Sequence, residues 1–191
     1  MSITVKYVTN RQMELTTAQL SLVEEYRKNI YEDSVLKRVE IFKNGSLSLT
    51  QYLVGSSEID DVLLSDPNAQ IITHETFNGY DQETSLVYRD GGLIGKRIIV
   101  LDENDNCIYM APIDLISDDP DYSSVVKTLY DEEGEDLYEF DYNEIGTCVH
   151  IYNLQETQAD IFPSRIGVDP DIEFSWTGNE YYQFAYPVIP A

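Results

Sequence analysis

The chain has 191 residues, 42% of them apolar and 12% aromatic, and its 35 acidic residues against 12 basic ones give a formal charge of −23. That apolar and aromatic content excludes a disordered chain, and the length suits one domain. The charge disfavours nucleic acid and anionic membrane as partners, because binding either needs Lys and Arg to neutralise phosphate.

The predicted elements begin with a strand over 3–9, in which Ile3, Val5 and Tyr7 share one face. Thr16 and Gln19 then have the spacing of a capping box. Leu22, Val23, Tyr26 and Ile30 follow at helical spacing, with Glu24, Glu25, Arg27 and Lys28 on the other side. Together they predict one N-terminal amphipathic helix over 17–31, packed on a sheet.

From Lys37 onward, short apolar runs are broken by polar turns. The runs 38–42 and 47–54 flank Asn44-Gly45, a pair that supplies the positive φ angles of a type I′ turn, and so they predict a hairpin. Residues 57–65 carry Ile59, Val62 and Leu63 at helical spacing and stop before Asp66-Pro67, which is compatible with a second short helix. Strands are expected at 70–76, 85–89, 96–101 and 107–111. The last three are joined through Asp90-Gly91-Gly92 and the polar segment 102–106 as a meander.

Residues 114–121 read as an acidic loop. Over 123–130, Val125, Val126, Thr128 and Tyr130 favour a strand, since 131–136 makes a hairpin loop into a further strand at 137–142. Residues 143–146 turn into a strand at 147–153. Aromatic strands are expected at 172–176 and 181–186, placed at edges because Pro163, Pro170, Pro187 and Pro190 cannot donate to a ladder. The fold class is therefore α+β: mainly antiparallel β-sheet in hairpins and meanders, with one N-terminal amphipathic helix packed on it. A single domain over 1–191 is expected. The alternative is a subdivision near 66–70 into an α/β N-terminal part and an acidic, β-rich C-terminal part.

Catalytic signatures are weak. Histidine occurs only as His74 and His150, both inside predicted strands. His74-Glu75 does not continue into HExxH, because Asn78 stands where the second histidine belongs, and no Gly-x-Ser-x-Gly is present. The segment 92–97 lacks both the glycine-to-lysine spacing and the hydroxyl of a phosphate loop. Asp102, Asn104 and Asn106 alternate like the first ligands of a calcium loop, but Cys107 occupies the glycine position and Ile113 the bidentate glutamate position. Cys107 and Cys148 match no metal or redox spacing, and their pairing stays open. No catalytic residue, metal or cofactor is assigned. The first residues lack the apolar run of a signal peptide and no stretch reaches the length of a membrane span, so the expected residence is the cytoplasm, with reduced thiols.

The charge is unevenly placed. Residues 1–97 hold 14 acids and 10 bases, whereas 98–191 hold 21 acids and two bases, Lys127 and Arg165. A salt-adapted proteome would spread its acids along the chain. Between Asp114 and Glu144, 12 acids meet one base and are interleaved with Tyr122, Tyr130, Tyr138 and Tyr142. Alternation over 137–142 puts Leu137, Glu139 and Asp141 on one side and Tyr138, Phe140 and Tyr142 on the other, the aromatic side inward. An acidic strand can simply be solvated or guard a sheet edge, but a merely soluble face mixes signs.

Carboxylates accept forked hydrogen bonds from arginine, and tyrosine adds rigid amphipathic area. The candidate partner-binding residues are Asp118, Asp119, Asp121, Tyr122, Asp131, Glu132, Glu133, Glu135, Asp136, Glu139 and Asp141. The expected function is that of an acidic protein-binding inhibitor and not an enzyme. Its leading form is an immunity protein that neutralises a toxin with a basic, nucleic-acid-handling active site, so the expected partner is a basic protein. Two alternatives stand beside it. A structural or adaptor protein would use Tyr181, Tyr182, Phe184 and Tyr186 as its interface, and a glycoside hydrolase would use paired acids and Trp176.

Overall fold

The structure is a computed structural model and describes residues 2–155 and 159–190. Among them are twelve strands and a single α-helix, so the architecture is mostly mixed β-sheet with little helix. The chain divides into two compact units, Met1–Thr73 with Ser85–Ile94, and His74–Thr84 with Gly95–Ala191.

In the first unit, β1 (Ile3–Val8), β2 (Glu14–Leu15), β3 (Glu25–Glu32), β4 (Val35–Lys43), β5 (Ser46–Leu53) and the start of β6 (Gln70–Phe77) lie in the order β2-β1-β3-β4-β5-β6. Neighbours are antiparallel except β5 and β6, which run parallel. A parallel pair needs a crossover, and the connection between these strands supplies it. It contains a 3-10 turn, Ser56–Glu58, and the helix α1 (Ile59–Ser65), whose Val62 is buried with Ala69 and Ile71. This helix is the short one expected over 57–65.

The N-terminal helix expected over 17–31 is not formed. Only Thr17–Leu22 curls, as a 3-10 turn, with Gln19 Oε1 accepting from the Thr16 amide at 2.8 Å. The rest is β3, paired on both sides with β1 and β4. A spacing of four residues places Tyr26 and Ile30 on one face of a strand as well as of a helix, so the apolar stripe suits either period. Both side chains are buried, and Tyr26 stacks on Phe42 of β4 with centroids 4.9 Å apart. The deciding feature is Asp33-Ser34. Both residues have positive φ, 46° and 72°, and close β3 onto β4 as a two-residue hairpin. Asn44-Gly45, at 49° and 75°, closes β4 onto β5 as expected.

β6, β7 (Tyr80–Arg89) and β8 (Gly92–Leu101) each have residues in both units. In the second unit β8, β9 (Cys107–Pro112), β10 (Val126–Tyr130), β11 (Asp136–Tyr142) and β12 (Cys148–Asn153) form an antiparallel meander in chain order. Tyr109, Val125, Phe140 and Ile151 are fully buried in its core. The aromatic strands expected at 172–176 and 181–186 are not strands. Residues 172–176 have no regular structure, Glu180–Gln183 is a 3-10 turn, and Phe184 makes one isolated bridge to Thr147. Their rings stack on the sheet face instead of entering a ladder: Tyr182 lies parallel to Phe140 at 4.6 Å, and Phe174 lies 5.8 Å from it. Both cysteines are free thiols, and no helix among the described residues is long and apolar enough to cross a membrane.

Candidate functional site

Three turns of the second unit share one hydrogen-bond plan. Asp102, Asp131 and Asn143 each accept, at Oδ1, backbone amides two and four residues later. The distances are 2.9 and 2.9 Å from Asn104 and Asn106, 3.0 and 2.9 Å from Glu133 and Glu135, and 3.1 and 3.0 Å from Ile145 and Thr147. The fourth residue of each turn has positive φ: Asp105 at 64°, Gly134 at 84° and Gly146 at 76°. Each turn also adjoins a register shift in its ladder. This is a hairpin loop closed by a left-handed residue and a bulge, and a short side-chain acceptor at its first position satisfies two loop amides. Part of the acidity is therefore turn chemistry, and Asp131 spends an oxygen on its own loop.

On β11 the faces divide as the alternation expects. Phe140 and Tyr142 are buried and Tyr138 packs against the core, while Glu139 and Asp141 sit half-buried on the outer face. Register sets Glu139 beside Thr128 and Tyr152, and Asp141 beside Val126 and His150. Burial, then the nearby Asp141 and Asp136, push the Glu139 carboxyl above its usual range. The Tyr152 phenol is also pushed up, first by its hydrogen bond to Asp141. Among the described residues neither Glu139 nor Asp141 has an ion-pair partner.

The loops at the two ends of the meander complete the surface. At one end, Gly134 lies close to the Asn106 side chain, so the segments 102–106 and 131–135 are neighbours. They gather Glu103, Asp105, Glu132, Glu133 and Glu135, with Asp136 following at the start of β11, all exposed. A concavity of about 320 Å³ there is lined by Asn78, Tyr80, Asp102, Glu103 and Asn104. At the other end, Asp118 pairs with Lys96 at 2.6 Å. Asp121 accepts the hydroxyls of Ser123 and Ser124 at 2.8 and 2.9 Å, which hold its carboxyl below the usual range. Asp119 is exposed, and Tyr122 is half-buried against Gly146. The five residues of β10 separate the two ends by roughly 17 Å at the rise of a strand. The eleven expected residues thus form two loop clusters linked by Glu139 and Asp141. Sequence reasoning left out Glu103 and Asp105; the signal for them was the turn pattern that Asp102 shares with Asp131.

Lys127, the one base between Asp114 and Glu144, points the other way and is 0% exposed. Its Nζ donates to the Tyr181 and Pro187 carbonyls at 2.8 and 2.9 Å. It also lies 3.4 Å from the centroid of the Tyr181 ring and 5.8 Å from that of Tyr109. Burial pushes the ammonium down to about 7. The cation ties the C-terminal segment to the sheet and adds nothing to the outer face. Tyr181 and Tyr182 are engaged in this packing, as is Trp176, which leaves Phe184 and Tyr186 as the exposed aromatics of the tail.

His74 Nδ1 lies 3.3 Å from Asp81 Oδ2, and His150 packs edge-on to Tyr152. Among the described residues no group of three His, Cys, Asp or Glu is arranged to hold a metal ion. No protein-family model, curated protein or solved structure matches this chain.

Proposed function

We propose that this protein captures a cationic protein through the acidic outer surface of its second unit. Its form is that of a cytoplasmic immunity-type inhibitor, covering the basic, nucleic-acid-handling active site of a toxin. The burial of Lys127 supports this reading most. With that cation withdrawn into the core, the 12 acids between Asp114 and Glu144 have Lys96 as their sole ion-pair partner among the described residues. A face kept acidic only for solubility has no reason to lose its counterions. Glu132, Glu133 and Glu135 of one loop and Asp136 at the strand end beside it are exposed, with carboxylates free to accept forked hydrogen bonds from arginine, in the places phosphates would take.

The test is the rate of association of the whole protein with the product of the gene beside its own, followed by stopped flow with nuclease activity read in parallel. Steered capture predicts a rate that falls at least about tenfold between about 15 and 150 mM salt. The triple reversal Glu132→Lys, Glu133→Lys and Glu135→Lys should slow capture by a similar factor with the unfolding midpoint unchanged. A rate indifferent to salt and to the reversal would refute the reading and favour an apolar contact through Phe184 and Tyr186.

A further inference from the structure

The first unit carries a concavity of about 390 Å³ on one face of its sheet. Its apolar walls are Ile3, Val5, Ile30 and Val54. Three of the chain's 12 basic residues, Lys28, Lys37 and Arg38, also line it. Register explains the gathering: Val5, Ile30, Arg38 and Tyr52 stand in one row across β1, β3, β4 and β5. The bulge at Ile30/Tyr31 leaves Lys37 as the extra residue of β4, released from strict alternation beside Arg38.

The charges here are not all spent. Lys28 and Arg38 share Glu40, at 2.8 and 3.1 Å. Among the described residues, however, Lys37 has no ion-pair partner and Arg38 Nε is a buried donor without an acceptor. Of the two acids on the wall, Glu58 is committed, accepting the Gly55 amide at 2.8 Å, and Glu32 remains. Of the apolar walls, Ile3 and Val5 face water, 66% and 43% exposed, whereas Ile30 is buried. The first unit holds eight bases against 11 acids, so it lacks the strong negative field of the second unit that would repel an anion.

We propose that this concavity binds a small organic carboxylate with an apolar body. The carboxylate would pair with the Lys37 ammonium beside the Arg38 guanidinium, and the body would cover Ile3, Val5, Ile30 and Val54. The space falls within the range of about 300–1,000 Å³ common for small-molecule sites. A pair of matched probes tests it: 4-phenylbutyrate and its neutral counterpart 4-phenylbutyramide, titrated into the whole protein at physiological salt and followed by amide chemical shifts.

The expected result is saturable binding of the carboxylate with shifts confined to β1, β3, β4 and residues near Val54, about tenfold tighter than the amide. Lys37→Met should weaken it about fivefold or more, Lys37→Arg should preserve it, and Glu32→Gln should tighten it. No saturable shift, equal affinity for acid and amide, or shifts elsewhere in the chain would overturn the proposal. The comparison of acid with amide uses the unaltered protein, so it decides even if Lys37→Met does not fold.

Discussion

Lys127→Met removes a buried cation whose charge state is coupled to folding. The folded protein releases the Lys127 proton near pH 7, while the unfolded chain keeps it to the ordinary lysine value of 10.5. Between those values the unfolded state binds more protons, so stability rises with pH, by up to about 1.4 kcal/mol per pH unit, and is flat below about pH 7. Across the whole interval the ceiling is about 5 kcal/mol. The Tyr181 and Pro187 carbonyls and the Tyr181 ring favour the ammonium and bring the real figure below that ceiling. At the alkaline end the Cys148 thiol and the Tyr182 phenol, both pushed up to about 12 by burial, act in the opposite sense, because the unfolded forms lose their protons first. The clean window is therefore about pH 7–8.5.

Urea unfolding followed by the fluorescence of Trp176, the only tryptophan and a residue of the tail packed against the core of the second unit, reads this unit directly. The unaltered protein should gain about 1 kcal/mol between pH 7.5 and 8.5, and Lys127→Met should show no such slope. The absolute stability of the variant is not the diagnostic. Methionine leaves the two carbonyls without a donor, at about 1–3 kcal/mol each, which counteracts the relief of burying no charge. Parallel slopes for the two proteins would refute the reasoning.

Two further outcomes follow from the turns. Asp131→Ala should cost about 1–2 kcal/mol, because Oδ1 holds two loop amides, whereas Glu133→Ala in the same loop should cost under about 0.5 kcal/mol; thermal unfolding of both variants checks the contrast. Gly146→Ala and Gly134→Ala should each destabilise, by about 1–2 kcal/mol. Both residues have positive φ, 84° at Gly134 and 76° at Gly146, a conformation alanine adopts only at that cost, and denaturant midpoints check both.

How far the fold was legible depended on whether a turn carried the residues that mark it. Asn44-Gly45 announces its hairpin because each residue tolerates positive φ. Asp33-Ser34 adopts the same geometry without that signature, and with no turn marked there 17–31 reads as one uninterrupted apolar stripe. The i, i+4 spacing of Tyr26 and Ile30 could not arbitrate, since four is a multiple of two as well as close to 3.6. In the tail, the aromatic residues were legible as core but not as strands. Whether a ring stacks on a sheet or joins its edge depends on a partner strand, and the sequence does not name one.

Within the candidate surface, alternation alone separated Glu139 and Asp141 from Phe140 and Tyr142, because period two needs no tertiary information. The direction of Lys127 did need it. A lysine in an acidic stretch is expected in water, and only the carbonyls of Tyr181 and Pro187, 54 and 60 residues along the chain, make its burial tolerable. The same distinction sorts the acids. Asp102 and Asp131 are bound to their own loops and Asp121 to neighbouring hydroxyls, whereas Glu132, Glu133, Glu135 and Asp136 carry no structural duty visible in their hydrogen bonds. A charge-neutralising variant aimed at the whole segment would therefore mix loss of folding with loss of capture. One confined to the free carboxylates changes the field by the same charge per residue and leaves the turns that present it intact, so only that comparison separates a docking face from a set of acidic turns.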